Sequence, residues 1–142
     1  MRRALALLVL PLATLLAPAA ARAGSETVGD VQAHYNVFAS GFLSQEQAQR
    51  YGVLRSRKRG VLVLSLRRDD QPLTARVHAS ATDGGGESRS ILMREVREQG
   101  MVSYLGDFPF EEGESLRFAV EVRPDGGGPA FTLRFIQALY GD

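Results

Sequence analysis

Between Ser115 and Tyr140 the chain alternates apolar and polar positions twice, on either side of one break. Leu116, Phe118, Val120 and Val122 alternate with Arg117, Ala119, Glu121 and Arg123, a period of two that gives a strand one buried face. No strand runs through Pro124-Asp125-Gly126-Gly127-Gly128-Pro129. Phe131, Leu133 and Phe135 then alternate with Thr132 and Arg134. The pattern predicts a hairpin whose apolar face needs an opposing sheet. Ile136 to Tyr140 carry apolar residues out of phase with this strand, which predicts a bulge near Phe135-Ile136.

Upstream the same period recurs. Gly24 to Gly29 reads as a loose start. Val31, Ala33, Tyr35 and Val37 alternate with Gln32, His34, Asn36 and Phe38 and predict a first strand, broken at Ser40-Gly41. Ser44-Gln45-Glu46-Gln47 fits a capping box, and Gly52 fits a left-handed stop, so a short helix is expected over Gln45 to Tyr51. Phe42 and Tyr51 are expected to pack it on the sheet. Val61-Leu62-Val63-Leu64-Ser65-Leu66 is apolar on both faces and reads as a central strand. Arg67 to Pro72 is a polar turn, and Leu73, Ala75, Val77, Ala79 and Ala81 mark the next strand. Asp83 to Glu87 reads as a flexible loop. Ile91 to Arg97 reads as one strand of mixed facing, turned by Glu98-Gln99-Gly100 into Met101 to Phe108.

Seven strands with turn signals every ten residues or so predict an all-β, immunoglobulin-like antiparallel β-sandwich with one short helix after the first strand. A small closed barrel is the second choice. Leu64, Val77, Phe118, Val120, Leu133 and Phe135 are the expected core.

The N-terminus changes the reading of charge and compartment. Met1-Arg2-Arg3, the apolar run Ala4 to Ala17 and Ala21-Arg22-Ala23 make residues 1–23 an expected signal peptide, cleaved before Gly24. A single domain is expected over residues 24–142. Without Arg2, Arg3 and Arg22, the 17 basic residues become 14 against 16 acidic ones. The whole-chain charge of +1 therefore misleads, and the basic footprint of a nucleic-acid binder is absent. The chain has no cysteine, so no disulfide and no cysteine-linked lipid are expected. No second apolar run reaches membrane length.

His34-Tyr35-Asn36, Phe42-Leu43, Tyr51 to Ser56 with Arg59-Gly60, Arg94 to Gly100, Leu116-Arg117-Phe118 and Val122-Arg123-Pro124 together resemble a family of exported bacterial proteins, domain of unknown function 4426. The resemblance covers the mature chain. It implies one periplasmic β-sandwich domain, mostly from Gram-negative bacteria. It implies no activity, ligand or catalytic residue.

The candidate chemistry is sparse. His34 and His78 are the only histidines, both in polar phases, and without cysteine or a close histidine pair no metal or cofactor is expected. A Gly-x-Ser-x-Gly elbow is absent. Asp83-Gly84-Gly85-Gly86-Glu87 lacks both the spaced oxygens of a calcium loop and the ending of a phosphate loop. Arg55, Arg57, Lys58 and Arg59 form the strongest charge cluster, set either against an anionic envelope partner or against Asp107, Glu111, Glu112 and Glu114 of the fold, with the fold favoured. Arg94, Glu95, Arg97 and Glu98 alternate in sign, as for cross-strand pairs. The expected recognition surface is His34, Asn36, Tyr51, Arg55 and Arg59. The expected function is a non-enzymatic periplasmic interaction module with another envelope protein as partner. The alternatives are a hydrolase or transferase using His34 or His78, and a carrier with a cavity between the sheets.

Overall fold

The computed structural model describes residues 22–141. Most of the expected leader, residues 1–21, lies outside the described residues; Arg22 and Ala23, just before the expected cleavage point, begin the first strand.

Two antiparallel sheets face each other. The first is ordered β1 (Arg22–Val28), β2 (Val31–Ala39), β3 (Arg59–Arg68), β8 (Met101–Pro109), β7 (Arg94–Glu98), with the short β4 (Gln71–Pro72) on the end of β3. The second is ordered β10 (Phe131–Ala138), β9 (Ser115–Pro124), β5 (Ala75–Thr82), β6 (Ser88–Ile91). The helix α1, Gln45–Tyr51, the one α-helix among the described residues, follows β2 through a 3-10 turn at Ser40–Phe42.

The sandwich follows from the alternation. Leu116, Phe118, Val120 and Val122 of β9 and Leu133 of β10 point inward against Val37, Leu62, Leu64 and Leu66 of the first sheet, and all are buried. Stacked rings fill the middle: Tyr35 on Phe135 at 4.3 Å, Phe135 on Phe118 at 5.1 Å, and Phe108 edge-on to Phe118 at 5.4 Å. Val77 and Phe135 are partly buried and pack against this core. Tyr104 joins the two layers, its hydroxyl oxygen accepting the Ala75 N–H at 2.8 Å.

β3 is apolar on both faces because both are covered. Leu62, Leu64 and Leu66 meet the second sheet, while Val61 and Val63 belong to a separate cluster with Leu43, Ala48 and Val53 at the helix. The helix forms as its ends dictate. Ser44 Oγ accepts from the Gln47 N–H and Gln47 Oε1 from the Ser44 N–H, both at 3.0 Å, and Gly52 closes the helix at φ 66°.

Several expectations are corrected. Among the described residues there are ten strands rather than seven. The loose start is β1, paired with β2 from Arg22↔Val37 to Val28↔Val31 through a two-residue Gly29-Asp30 turn with glycine at its first position. The polar turn after β3 is a tight hairpin, with Asp69 and Asp70 both at positive φ, and it returns as β4. The single strand expected over Ile91 to Arg97 is two, β6 in the second sheet and β7 in the first, so its mixed facing was a change of sheet. No bulge interrupts β10: its register with β9 is continuous from Phe131↔Val122 to Ala138↔Ser115. Ile136 simply faces outward, 64% exposed, and Gln137 takes the inward phase, its amide donating to the Val37 carbonyl at 2.9 Å. The loop expected to be flexible is tied, because Asp83 Oδ1 accepts the N–H groups of Gly85 and Glu87, each at 2.9 Å.

Candidate functional site

The helix lies across the outer face of the first sheet without covering it completely. Leu43 and Ala48 anchor it over Val61 and Leu105. Phe42, expected to share that anchoring, is half exposed instead, and its neighbour Leu43 is buried. Between helix and sheet a partly enclosed groove of about 210 Å³ remains. Its floor is apolar: Phe38, Val63, Val96 and Leu105, with Leu43 from the chain before the helix. Its rim is polar: Gln47, Tyr51, Glu98 and Ser103.

The rim is held by charge-assisted contacts. Glu98 accepts from Arg50 and from the Tyr51 hydroxyl, each at 3.3 Å. Arg50 also reaches Glu46, one helical turn away, at 3.1 Å. Arg94 donates to the Tyr51 carbonyl at the end of the helix. Burial, and after it the nearby Glu98 carboxylate, push the Tyr51 phenol above its ordinary pKa, so it stays a neutral donor. The alternating charges of β7 therefore serve a purpose other than cross-strand pairing: Arg94 and Glu98 clamp the helix, and Arg97 pairs with Glu95 along the same strand at 3.2 Å.

Across Val63 the outer face continues into a shallower hollow lined by Ser25, His34, Asn36 and Ser65. Registers place Ser25, His34, Ser65 and Ser103 side by side on four adjacent strands. The Asn36 side-chain oxygen, Oδ1, is buried there with no donor among the described residues. His34 and Asn36 thus lie on one side of Val63 and Tyr51 on the other. Arg55 and Arg59 do not join them. Arg55 donates to the Gly41 carbonyl at 3.3 Å, and Arg59 binds Asp107 through its Nε at 2.9 Å. That ion pair neutralises Arg59, one of the four basic residues expected to meet the acidic run.

His34 and His78 are both exposed, on the outer faces of different sheets. Neither imidazole makes a hydrogen bond among the described residues. Among the described residues no three His, Cys, Asp or Glu side chains gather as metal ligands.

Four residues of the groove escaped the sequence reading: Val63, Val96 and Leu105 because each looks like an ordinary core position, and Phe38 because it falls in the polar phase with Gln32, His34 and Asn36. The available signal was Val61-Leu62-Val63: a strand apolar on both faces needs a cover on each, and a two-turn helix is too short to cover a whole sheet.

The family described as Domain of unknown function (DUF4426) matches residues 25–142. Among solved structures, the crystal structure of a DUF4426 family protein from Pseudomonas aeruginosa PAO1 is similar, with 33% sequence identity and a TM-score of 0.76, covering 84% of this chain and 96% of that one. No curated protein matches.

Proposed function

The chain belongs to the DUF4426 family, and for it we propose a non-enzymatic interaction module of the bacterial cell envelope that takes an apolar side chain of a partner protein into the groove beneath α1. The observation that carries this reading is the groove itself: an apolar floor, a fixed polar rim, and about 210 Å³ of room. That volume is below the roughly 300–1,000 Å³ of sites for drug-sized ligands. It suits one large side chain delivered by a protein surface. The space between the sheets is filled by rings and branched side chains, which favours this reading over a carrier with an internal cavity. The exposed, unbonded imidazoles favour it over a hydrolase or transferase.

Val96→Trp tests the groove. Val96 is partly buried on the edge strand β7, so an indole there fills the groove without entering the inter-sheet core. Affinity capture from envelope extract should recover a partner with the wild type and at least ten-fold less of it with the variant, at an unchanged melting temperature. The same partner recovered equally by both, or no reproducible partner with the wild type, overturns the reading.

The setting is also proposed: export to the periplasm with removal of residues 1–23. The basic start, apolar run and Ala21-Arg22-Ala23 support it. Mass spectrometry of the periplasmic protein should give Gly24 as the first residue; a stable full-length species in the membrane fraction counts against it.

A further inference from the structure

The outer face of the second sheet carries a different kind of surface. The inward phase of β5, β9 and β10 is apolar, so the opposite phase must face solvent. On β9 that phase is Arg117, Ala119, Glu121 and Arg123; on β5 it includes Arg76 and His78; on β10 it is Thr132, Arg134 and Ile136. The registers bring these together. Arg76 stands directly opposite Arg123, Arg134 opposite Ala119, and Ile136 opposite Arg117.

Four exposed guanidinium groups thus share one sheet face with a single carboxylate, Glu121. Among the described residues none of the four makes a hydrogen bond or ion pair. This contrasts with Arg50, Arg59 and Arg97, which all have acidic partners. Like charges directly opposite on neighbouring strands destabilise a sheet, and among the described residues neither Arg76 nor Arg123 forms an ion pair, although Glu121 shares their face. Ser80, Ala119 and Thr132 on this face are small, His78 and Glu121 stand opposite each other between the two ends, and Ile136 is exposed beside Arg117 and Arg134.

We infer that this face docks on an anionic lipid surface. A single small anion needs converging donors in a cavity, and none of the cavities described above is lined by these arginines. Charges spread over three strands match many anions spread over a plane. Arginine suits that match, because its planar fork binds phosphate oxygens in pairs. Ile136 adds an apolar contact at the head-group boundary. The groove beneath α1 lies on the opposite side of the sandwich, so a chain seated by its second sheet leaves the groove open to a partner. The basic connection at Arg55–Arg59 faced the same question, and Arg59 there is already neutralised by Asp107. The arginines of the second sheet are not.

Sedimentation with vesicles tests the docking, using the protein without residues 1–23. Wild type should bind phosphatidylglycerol-containing vesicles and leave pure phosphatidylcholine vesicles alone, with binding that falls as salt is raised. Arg117→Ala with Arg134→Ala should weaken partitioning by about thirty-fold, two positive charges' worth near an anionic surface. Arg55→Ala with Lys58→Ala should leave it within about two-fold of wild type. All three proteins should melt alike, since the changed side chains are exposed. The inference is overturned if wild type ignores anionic vesicles at low salt, or if the sheet variant binds as well as wild type. It is equally overturned if wild type binds an acidic polypeptide such as polyglutamate but not the vesicles, which would assign the face to a protein.

Discussion

Phe118→Ala is expected to lower the free energy of unfolding by about 3–5 kcal/mol. The ring is 1% exposed and sits at the centre of the inter-sheet aromatic stack. Truncation removes its own burial and also leaves a cavity between Phe108 and Phe135, which the surrounding strands cannot close without moving a sheet. Against the 5–15 kcal/mol typical of a whole domain, roughly half the stability goes with one side chain. Urea unfolding reads the change as a shifted midpoint with an unchanged slope. Phe118→Leu, which keeps most of the volume, is expected to cost less than half as much. Equal midpoints for Phe118→Ala and wild type would place the ring outside the core.

Gly106→Val is expected to cost about 2–3 kcal/mol, for the opposite reason: too much volume rather than too little. Gly106 lies on β8 opposite Leu62, facing the second sheet. The chain leaving β6 for β7 passes directly over it. A Cβ there would meet the Leu92 carbonyl oxygen at 2.7 Å and the side chains of Ile91 and Met93 at 2.6 and 2.7 Å. The first of these is backbone and cannot rotate away. Gly84, with open space around it, is the control: Gly84→Val should stay within about 0.5 kcal/mol of wild type. Thermal melting of the pair settles it, and equal melting temperatures would mean that the crossover can lift off β8.

These two residues also mark what could and could not be read from the chain. Phe118 was legible, because alternation with Arg117 and Ala119 assigns it to a buried face whatever the partner strand. The helix was legible too, since Ser44, Gln47 and Gly52 specify its ends locally. Gly106 was not: its need to be glycine comes from Leu92, which approaches only through the tertiary fold. The same holds for the split at Leu92-Met93, where nothing in the local period distinguishes a strand of mixed facing from a change of sheets. β1 was missed because Gly24, Ser25 and Glu26 have little strand preference, and pairing with β2 overrides it. For the site, His34, Asn36 and Tyr51 were visible as amphipathic residues around the first crossover. Arg55 and Arg59 flank the same crossover in sequence, but their guanidinium groups turn to the Gly41 carbonyl and to Asp107, which only the tertiary fold brings near. The arginines of the second sheet are scattered from Arg76 to Arg134, and only the register gathers them.

The order of the strands carries a kinetic consequence. β3 finds its second neighbour only when β8 has been made, and β5 finds its own in β9, so the two long-range pairings overlap along the chain. Neither half of the sequence can build a covered core alone. The entropy of closing both loops is lost before the contacts that repay it exist, which is why folds of this connectivity reach the native state in milliseconds to seconds, against microseconds for local helical bundles. A newly made chain therefore remains without its native core for a comparatively long time. That delay is a hazard where free strand edges can meet, and it is also the condition under which an unfolded chain can be threaded through a narrow pore before its two sheets close on each other.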